Sequence, residues 1–479
     1  MWKFKNQNYL GLTILFIFIL NIVTKIIGLT TNCLSLDEPF SVFYAQMNVK
    51  DIILELLKGN NPPLWEIILH YWIRVFGTGI VSVRFLPLIF SSLTAVILFI
   101  TGKRFFNYQV GITASLLFTF SNYHVFFSHE ARVYPLFCLL TVISVYYFLS
   151  YIKQPHRWKY LIIITVTNIV ICYAHYFGFF VLFIEFLWAL CLVKFEKRIF
   201  YTFLLSIAVF LVAYIPIINI FIARLNDSVS HGTWLSPVSG DSWFFLLGFW
   251  SNNRVNLILF LIPLLLSLVL LIKKLIHQYQ QTIFTALVFS WFWIPFLLMY
   301  FISFRIPMFL DRYLIYISPA FYLILPISLN MLQIKPVLKK TLLYVSILLM
   351  MVSFKFNISN EREFDKIAVK IKELKKPGTE VYFCPPWFDL NIMYYCDSTI
   401  FHNAYGFNSL MTHKEFYPIY NFEGLHSETL LKKQPLMFID CNSKFAFSGN
   451  TILEVLLNTY KSSEKFEYAS GFSVYYFHE

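Results

Sequence analysis

Residues 9–40 read YLGLTILFIFILNIVTKIIGLTTNCLSLDEPF, and the first two thirds of this stretch decide the class of the molecule. From Tyr9 to Leu29 the run is apolar and long enough, at ~1.5 Å per residue, to cross about 30 Å of hydrocarbon. Lys3 and Lys5 precede it, no small-residue cleavage site follows it, and it exceeds a signal-peptide core, so it reads as a retained anchor with a cytoplasmic N-terminus. Directly beyond it stand two adjacent carboxylates, Asp37 and Glu38. In a chain with only 13% charged residues, ionised acids at a bilayer edge are costly unless they have work to do.

The apolar pattern recurs through most of the 479 residues, 58% of which are hydrophobic and 20% aromatic. Spans are expected near 9–29, 83–102, 110–128, 133–151, 159–175, 178–193, 199–222, 255–272, 282–303, 311–330 and 340–355. The fold class is thus a mainly α, polytopic membrane protein with about 11–13 transmembrane helices. The basic loops Lys103-Arg104, Lys153 to Lys159, Lys194 to Arg198, Lys273-Lys274 and Lys335 to Lys340 all fall on one side, the cytoplasm by the positive-inside rule. That topology accounts for the net charge of +12, whose basic residues are dispersed rather than gathered in a stripe, and it argues against a nucleic-acid partner. It also puts the Asp37-Glu38 loop, the loop Ser128 to Arg132, His175-Tyr176, the long loop Arg224 to Arg254 and Arg305 to Arg312 on the outer face.

Two shorter apolar stretches are expected to lie in the outer interface, an amphipathic helix at 39–58 and another at 62–76 that carries Glu66, His70 and Arg74. The chain then divides into a membrane domain, 1–355, and an extracytoplasmic α/β domain, 356–479. In the latter, Glu361 to Lys375 and Thr451 to Tyr460 read as helices; Glu380 to Cys384, Leu436 to Asp440 and Phe472 to Phe477 read as strands. Among seven cysteines no CxxC spacing occurs; Cys384, Cys396 and Cys441 leave room for one disulfide, with unpaired thiols acting as small hydrophobes as the alternative. No Walker sequence, GxGxxG fingerprint or internal repeat is present, so nothing indicates a nucleotide-driven pump.

The outer-face charges suggest a chemistry. Asp37 in a partly dehydrated pocket can take a proton from an attacking hydroxyl. Asp37, Glu38 and Pro39 also suit the first turn of a helix, and both readings stay open. Glu130 and Arg132, just before Tyr134, can position an anionic substrate and orient a hydroxyl, or simply form an interfacial ion pair. Arg312, followed by Tyr313, sits at the depth of a lipid phosphate, where snorkelling is the ordinary alternative. His175 ends a span with no second histidine at metal spacing; a divalent cation is conceivable only where His124 and His129 approach Glu130, and no metal ligand is assigned.

Asp37-Glu38 after the first span, Asn61-Pro62-Pro63-Leu64, Arg84-Phe85-Leu86-Pro87, Glu130-Ala131-Arg132-Val133-Tyr134, His175-Tyr176-Phe177-Gly178 and Arg312-Tyr313 with Pro319 follow one another in an order that resembles the membrane glycosyltransferases of the C superfamily. The resemblance is to the bacterial branch related to protein O-mannosyltransferases and the lipid A aminoarabinose transferase, and it covers roughly residues 1–325. It implies transfer of a sugar from a polyprenyl phosphate, with inversion, at the external (periplasmic) face of a bacterial inner membrane, for cell-envelope glycan biosynthesis. It implies Asp37 as base, Glu130 as a second acidic site, and Arg132 and Arg312 beside the lipid phosphate. Glu38, Tyr134, His175 and Tyr313 complete the expected substrate-binding set. This chain has Glu-Ala-Arg where some relatives carry Asp, which bears on the duty of Glu130. The acceptor is a lipid, a glycan or a protein hydroxyl, and no cofactor is firmly implied. Two alternatives remain, a transporter or flippase for a polar lipid and a glycan ligase or polymerase using pyrophosphate-linked donors.

Overall fold

The computed structural model describes residues 2–233, 235, 237–277, 279–360 and 362–478. Its helices follow the apolar runs. In chain order they are α1 (Trp2–Ile26), α2 (Asp37–Ala45), α3 (Val49–Leu56), α4 (Leu64–Phe76), α5 (Ile80–Phe105), α6 (Tyr108–Thr119), α7 (Asn122–Ser128), α8 (Tyr134–Lys153), α9 (Trp158–Ala174), α10 (Gly178–Cys191), α11 (Lys197–His231), α12 (Ser242–Trp250), α13 (Arg254–His277), α14 (Tyr279–Ile302), α15 (Ser318–Met331, led in by a 3-10 turn Asp311–Ile317) and α16 (Pro336–Val352). All eleven expected spans coincide with helix. Among the described residues, seven helices are able by length and composition to cross a membrane, and α6 with α7, bent by 61°, makes an eighth if the pair is one broken span. α9, α10 and α16 are apolar but shorter, with 17, 14 and 17 residues. The fold is therefore the expected polytopic helical one.

Two local expectations are revised. The surface helix of 39–58 is two helices, because Asn48 starts a new one: its Oδ1 accepts the Asp51 N–H at 3.0 Å, a side-chain cap that ends the preceding run. The outer loop expected from Arg224 is helical as far as His231, since α11 runs nine residues past 222, and the Arg224 guanidinium donates to the Lys58 carbonyl.

The chain forms two compact units. The first comprises residues 1–29, 53–65 and 84–358. Where α5 meets α6 the backbones touch: a Cβ on Gly111 would lie 2.4 Å from the Phe99 carbonyl oxygen, and one on Gly102 would lie 2.5 Å from Gly111 Cα. Small residues permit this approach in a helical bundle that gains nothing from water exclusion. Within the same unit Glu185 of α10 accepts from Ser144 Oγ at 2.7 Å and Asn168 Nδ2 at 2.6 Å, tying three helices through one buried carboxyl.

The second unit comprises 30–52, 66–83 and 359–479, so much of the segment between α1 and α5 packs with the C-terminal segment rather than with the helices that flank it in sequence. Its centre is a five-stranded sheet of order β2-β1-β3-β5-β4, with β1 (Glu380–Cys384), β2 (Phe416–Pro418), β3 (Leu436–Asp440), β4 (Ser462–Glu467) and β5 (Ser473–His478). β1 is parallel to β2 and β3, whereas β5 is antiparallel to β3 and β4. Tyr382, Cys384, Leu436, Phe438, Tyr475 and Phe477, alternate residues of their strands, meet Ile452, Leu456 and Tyr460 on one face. α17 (Phe364–Leu374) and α18 (Asp389–Cys396) pack on one another. The expected helix starting at Glu361 is α17, and Glu361 itself lies outside the described residues. All seven cysteines are free thiols, so the disulfide allowed for among Cys384, Cys396 and Cys441 is absent.

Candidate active site

In the first unit the expected residues gather around His175. This side chain occupies the break between α9 and α10 and stacks on Phe137 of α8, with ring centroids 4.8 Å apart and planes 2° from parallel. Tyr313 lies edge-on at 5.6 Å and Tyr134 at 6.3 Å. The Phe177 N–H donates to His175 Nδ1 at 3.2 Å, which makes Nδ1 the acceptor and leaves the proton of a neutral ring on Nε2.

One guanidinium, that of Arg312, lies over this aromatic group, and a second arginine, Arg132, precedes Tyr134 by two residues. Arg312 Cζ is 6.0 Å from the Tyr134 ring and 5.6 Å from the Tyr313 ring. Arg132 is only 6% exposed. The elements that hold them are specific. Arg312 is the second residue of the 3-10 turn before α15, its N–H donating to Asp311 Oδ1 at 2.7 Å, while the Asp311 carbonyl accepts the Tyr123 hydroxyl at 2.7 Å. Arg132 sits in a tight turn closed by its own N–H to the Glu130 carbonyl at 2.7 Å. The buried Trp65 donates Nε1 to the Ala131 carbonyl at 3.1 Å and so pins that turn from the Asn61-Pro62-Pro63-Leu64 side. Glu130 thus shares a turn with Arg132, and Tyr134 begins the next helix.

The two histidines near Glu130 have hydrogen-bond partners of their own. His124 Nε2 pairs with Ser318 Oγ at 3.0 Å and His129 Nε2 with the Lys25 carbonyl at 2.6 Å. Among the described residues no group of three or more His, Cys, Asp or Glu is arranged to hold a metal.

Asp37 and Glu38 belong to the second unit. Asp37 is the first residue of α2 and half-buried; Glu38 is 3% exposed. The residue preceding the helix is Leu36, which offers no side-chain cap. Glu38 accepts the Ser35 N–H at 3.2 Å, tying the chain before Leu36 to the first turn of the helix. Asp37 therefore is not the N-cap. Sequence reading passed over the partners of this helix: Ser41 Oγ donates to Glu66 Oε1 at 2.7 Å, and His70 Nδ1 pairs with the Ala45 carbonyl at 2.8 Å, all four residues being buried. Glu66 and His70 stand four residues apart on α4, and Ser41 and Ala45 four apart on α2, so one face of each helix meets the other. An acid and a histidine at that spacing on an apolar face was the available signal.

Residues 60–219 match the family profile described as dolichyl-phosphate-mannose-protein mannosyltransferase. Across the whole chain, the fold superposes on ArnT from Cupriavidus metallidurans in the apo state with a TM-score of 0.62 at 12% identity, covering 98% of each chain. The chain has the fold of that protein. The same Cupriavidus metallidurans ArnT bound to undecaprenyl phosphate matches with a TM-score of 0.60 at 11% identity, again over 98% of each chain. The archaeal oligosaccharyltransferase AglB from Archaeoglobus fulgidus, in complex with an inhibitory peptide and a dolichol-phosphate, matches with 0.53 at 10% identity, over 90% of this chain and 69% of that one. No curated protein matches the chain by sequence. The glycosyltransferase resemblance drawn from the ordered motifs is thereby borne out at the level of fold.

Proposed function

We propose that this protein transfers a sugar from a polyprenyl-phosphate donor to an acceptor hydroxyl, with inversion, at the external face of a bacterial cell membrane. The observation that carries the reading is the Arg312 guanidinium over the Tyr134 and Tyr313 rings that flank His175, with the buried Arg132 two residues before Tyr134, in a chain of this fold. Guanidiniums recognise phosphate oxygens with two parallel bonds, and aromatic walls keep water away from them. With Nδ1 accepting the Phe177 N–H, the Nε2–H of His175 is a further donor beside the arginine. The binding of undecaprenyl phosphate by a relative of matching architecture supports the same ligand class here.

In the proposed reaction the acceptor oxygen attacks the anomeric carbon, the bond from that carbon to the phosphate oxygen breaks, and the lipid phosphate leaves with the electron pair. The proton of the acceptor hydroxyl goes to Asp37. The leaving group is already good, so the protein chiefly supplies a base, a cationic clamp and a dry site. Glu130 acts as a second acidic group that orients the acceptor hydroxyl, and Glu38 keeps the first turn of α2 in place. The acceptor is a lipid, a glycan or a protein hydroxyl.

Asp37→Asn tests the base. With purified protein and a panel of polyprenyl-phosphate sugars, release of polyprenyl phosphate should fall by about 10²–10⁴-fold, the usual worth of a general base, while expression and folding are retained. Turnover close to wild type would refute the assignment. The same panel with pyrophosphate-linked donors, and a flipping assay in liposomes, separates ligase and flippase activities. Comparative glycan and lipid mass spectrometry of a deletion strain identifies sugar and acceptor together.

A further inference from the structure

Leu36, immediately before Asp37, has φ 55° and ψ −118°. A residue with a branched side chain rarely adopts positive φ, and such strain persists only where surrounding contacts over-determine it. Here the contacts come from the far end of the chain. Asn391 of α18 is 2% exposed, and its Nδ2 donates to the Leu36 carbonyl at 3.2 Å. One turn further along α18 the Tyr395 hydroxyl accepts the Leu34 N–H. Asn360 Nδ2 donates to Ser35 Oγ at 2.9 Å, and the Cys33 thiol donates to the Arg362 carbonyl at 3.0 Å. Every residue from Cys33 to Leu36 is thus held by a group between positions 360 and 395.

Beyond the turn, α2 is held again. Asp37, Ser41 and Ala45 fall on one face of the helix, and the latter two are the points where Glu66 and His70 of α4 attach. Nothing in the membrane-spanning sequence explains why the Asp37 loop needs two supports. Both lie within the second unit.

We propose that the C-terminal domain is the positioning device for Asp37, with Asn391 as the residue that fixes the Leu36 turn; the inference rests on Asp37 acting as the base. Without the Asn391 N–H, Leu36 relaxes toward negative φ and swings the first turn of α2, carrying the Asp37 carboxylate away from the attacking hydroxyl. Displacement by about 1 Å costs up to ~10²-fold in rate. The donor phosphate is bound by other groups, so its binding is spared.

The experiment compares Asn391→Ala, Asn391→Asp and Tyr395→Phe in the full-length purified protein, each alone and in the Asp37→Asn background. Asn391→Asp keeps the volume and removes the donor, while Tyr395→Phe keeps the ring and removes the acceptor, so these two carry the test if Asn391→Ala fails to fold. The expected result is a kcat lowered about 10- to 100-fold with donor KM changed less than about twofold, and no further loss when Asp37 is already Asn, because groups that act as a unit are not additive. Near wild-type kcat in Asn391→Asp and Tyr395→Phe, with Asp37→Asn inactive, overturns the inference and leaves the base assignment standing. An equal loss in both backgrounds also overturns it, since that is the mark of a merely structural role. Near wild-type turnover in Asp37→Asn itself refutes the base, independently of Asn391.

Discussion

Arg312 offers a graded test of the phosphate clamp. Arg312→Lys keeps the charge but loses the planar fork and the stacking against two rings, 6.0 Å and 5.6 Å from the guanidinium carbon. At a half-buried site each cation–π contact is worth about 0.5–1 kcal/mol, of which an ammonium keeps a part. Loss of one of two parallel charge-assisted bonds adds about 1 kcal/mol. The sum is about 1–2 kcal/mol, or ~5- to 30-fold in donor affinity. Arg312→Ala also removes the charge and should cost about 3–4 kcal/mol, or ~150- to 1,000-fold. Binding of polyprenyl phosphate to protein in detergent, measured by titration calorimetry, reads the affinity directly, and steady-state kinetics with the sugar donor reads kcat separately. The ordering wild type, Lys, Ala should appear in affinity, with kcat moving less. Unchanged affinity in Arg312→Ala, with an unaltered melting temperature, would refute the clamp; equal losses in Lys and Ala would refute the part assigned to the fork and the rings.

Two stability predictions concern the two units separately. Burial lifts the Asp389 carboxyl at the start of α18 from an ordinary 3.8 to about 6, against one opposing hydrogen bond from the Leu390 N–H. A folded-state value above the unfolded one means that the native protein binds the extra proton between pH ~4 and ~6, so this group's contribution falls as pH rises through that window and stays low above it. At 1.36 kcal/mol per tenfold, the cost at neutral pH is at most about 3 kcal/mol. Asp389→Asn should therefore raise the melting temperature at pH 7.5 and lose that advantage near pH 4; a gain that is the same at both values would disprove the cause. Gly111→Ala drives a methyl to within 2.4 Å of a carbonyl oxygen on α5 and should destabilise the first unit by about 1–3 kcal/mol, seen as a melting temperature lower by several degrees. Gly102→Ala added to it should cost less than it does alone, because the helices have already been pushed apart.

What the sequence disclosed follows from how far each signal reaches. The bilayer demands long apolar runs, so every expected span is helix even where α9 and α10 are shorter than a full crossing. β1 and β3 were legible because both are central strands buried on their two faces. β4 was not: as an edge strand it carries Glu464, Lys465 and Glu467 and shows no apolar alternation. β2 has three residues and ends in Pro418, and α18 hides behind Pro385-Pro386. The basic and aromatic residues around His175 were found by type and position, since the side opposite the basic loops carries few charges and those stand out. The surroundings of Asp37 were not, because they depend on a positive φ at Leu36, which no propensity announces, and on pairs separated by 25 residues, Ser41 and Glu66, or by 355, Leu36 and Asn391.

The pieces of the second unit are scattered along the gene, residues 30–52 and 66–83 near its start and 359–479 at its end. A ribosome making this protein inserts the first helix and releases the Asp37 loop hundreds of residues before Asn360, Asn391 and Tyr395 exist. Through that interval the bonds that Asn360, Asn391 and Tyr395 make to Ser35, Leu36 and Leu34 are missing, and on the positioning inference the turn is free to relax. On that inference the nascent transferase is silent, able to sit in the bilayer without consuming its lipid carrier. Completion of its own synthesis is then the event that arms it, and a chain cut short in the last quarter would be a membrane protein without a reaction.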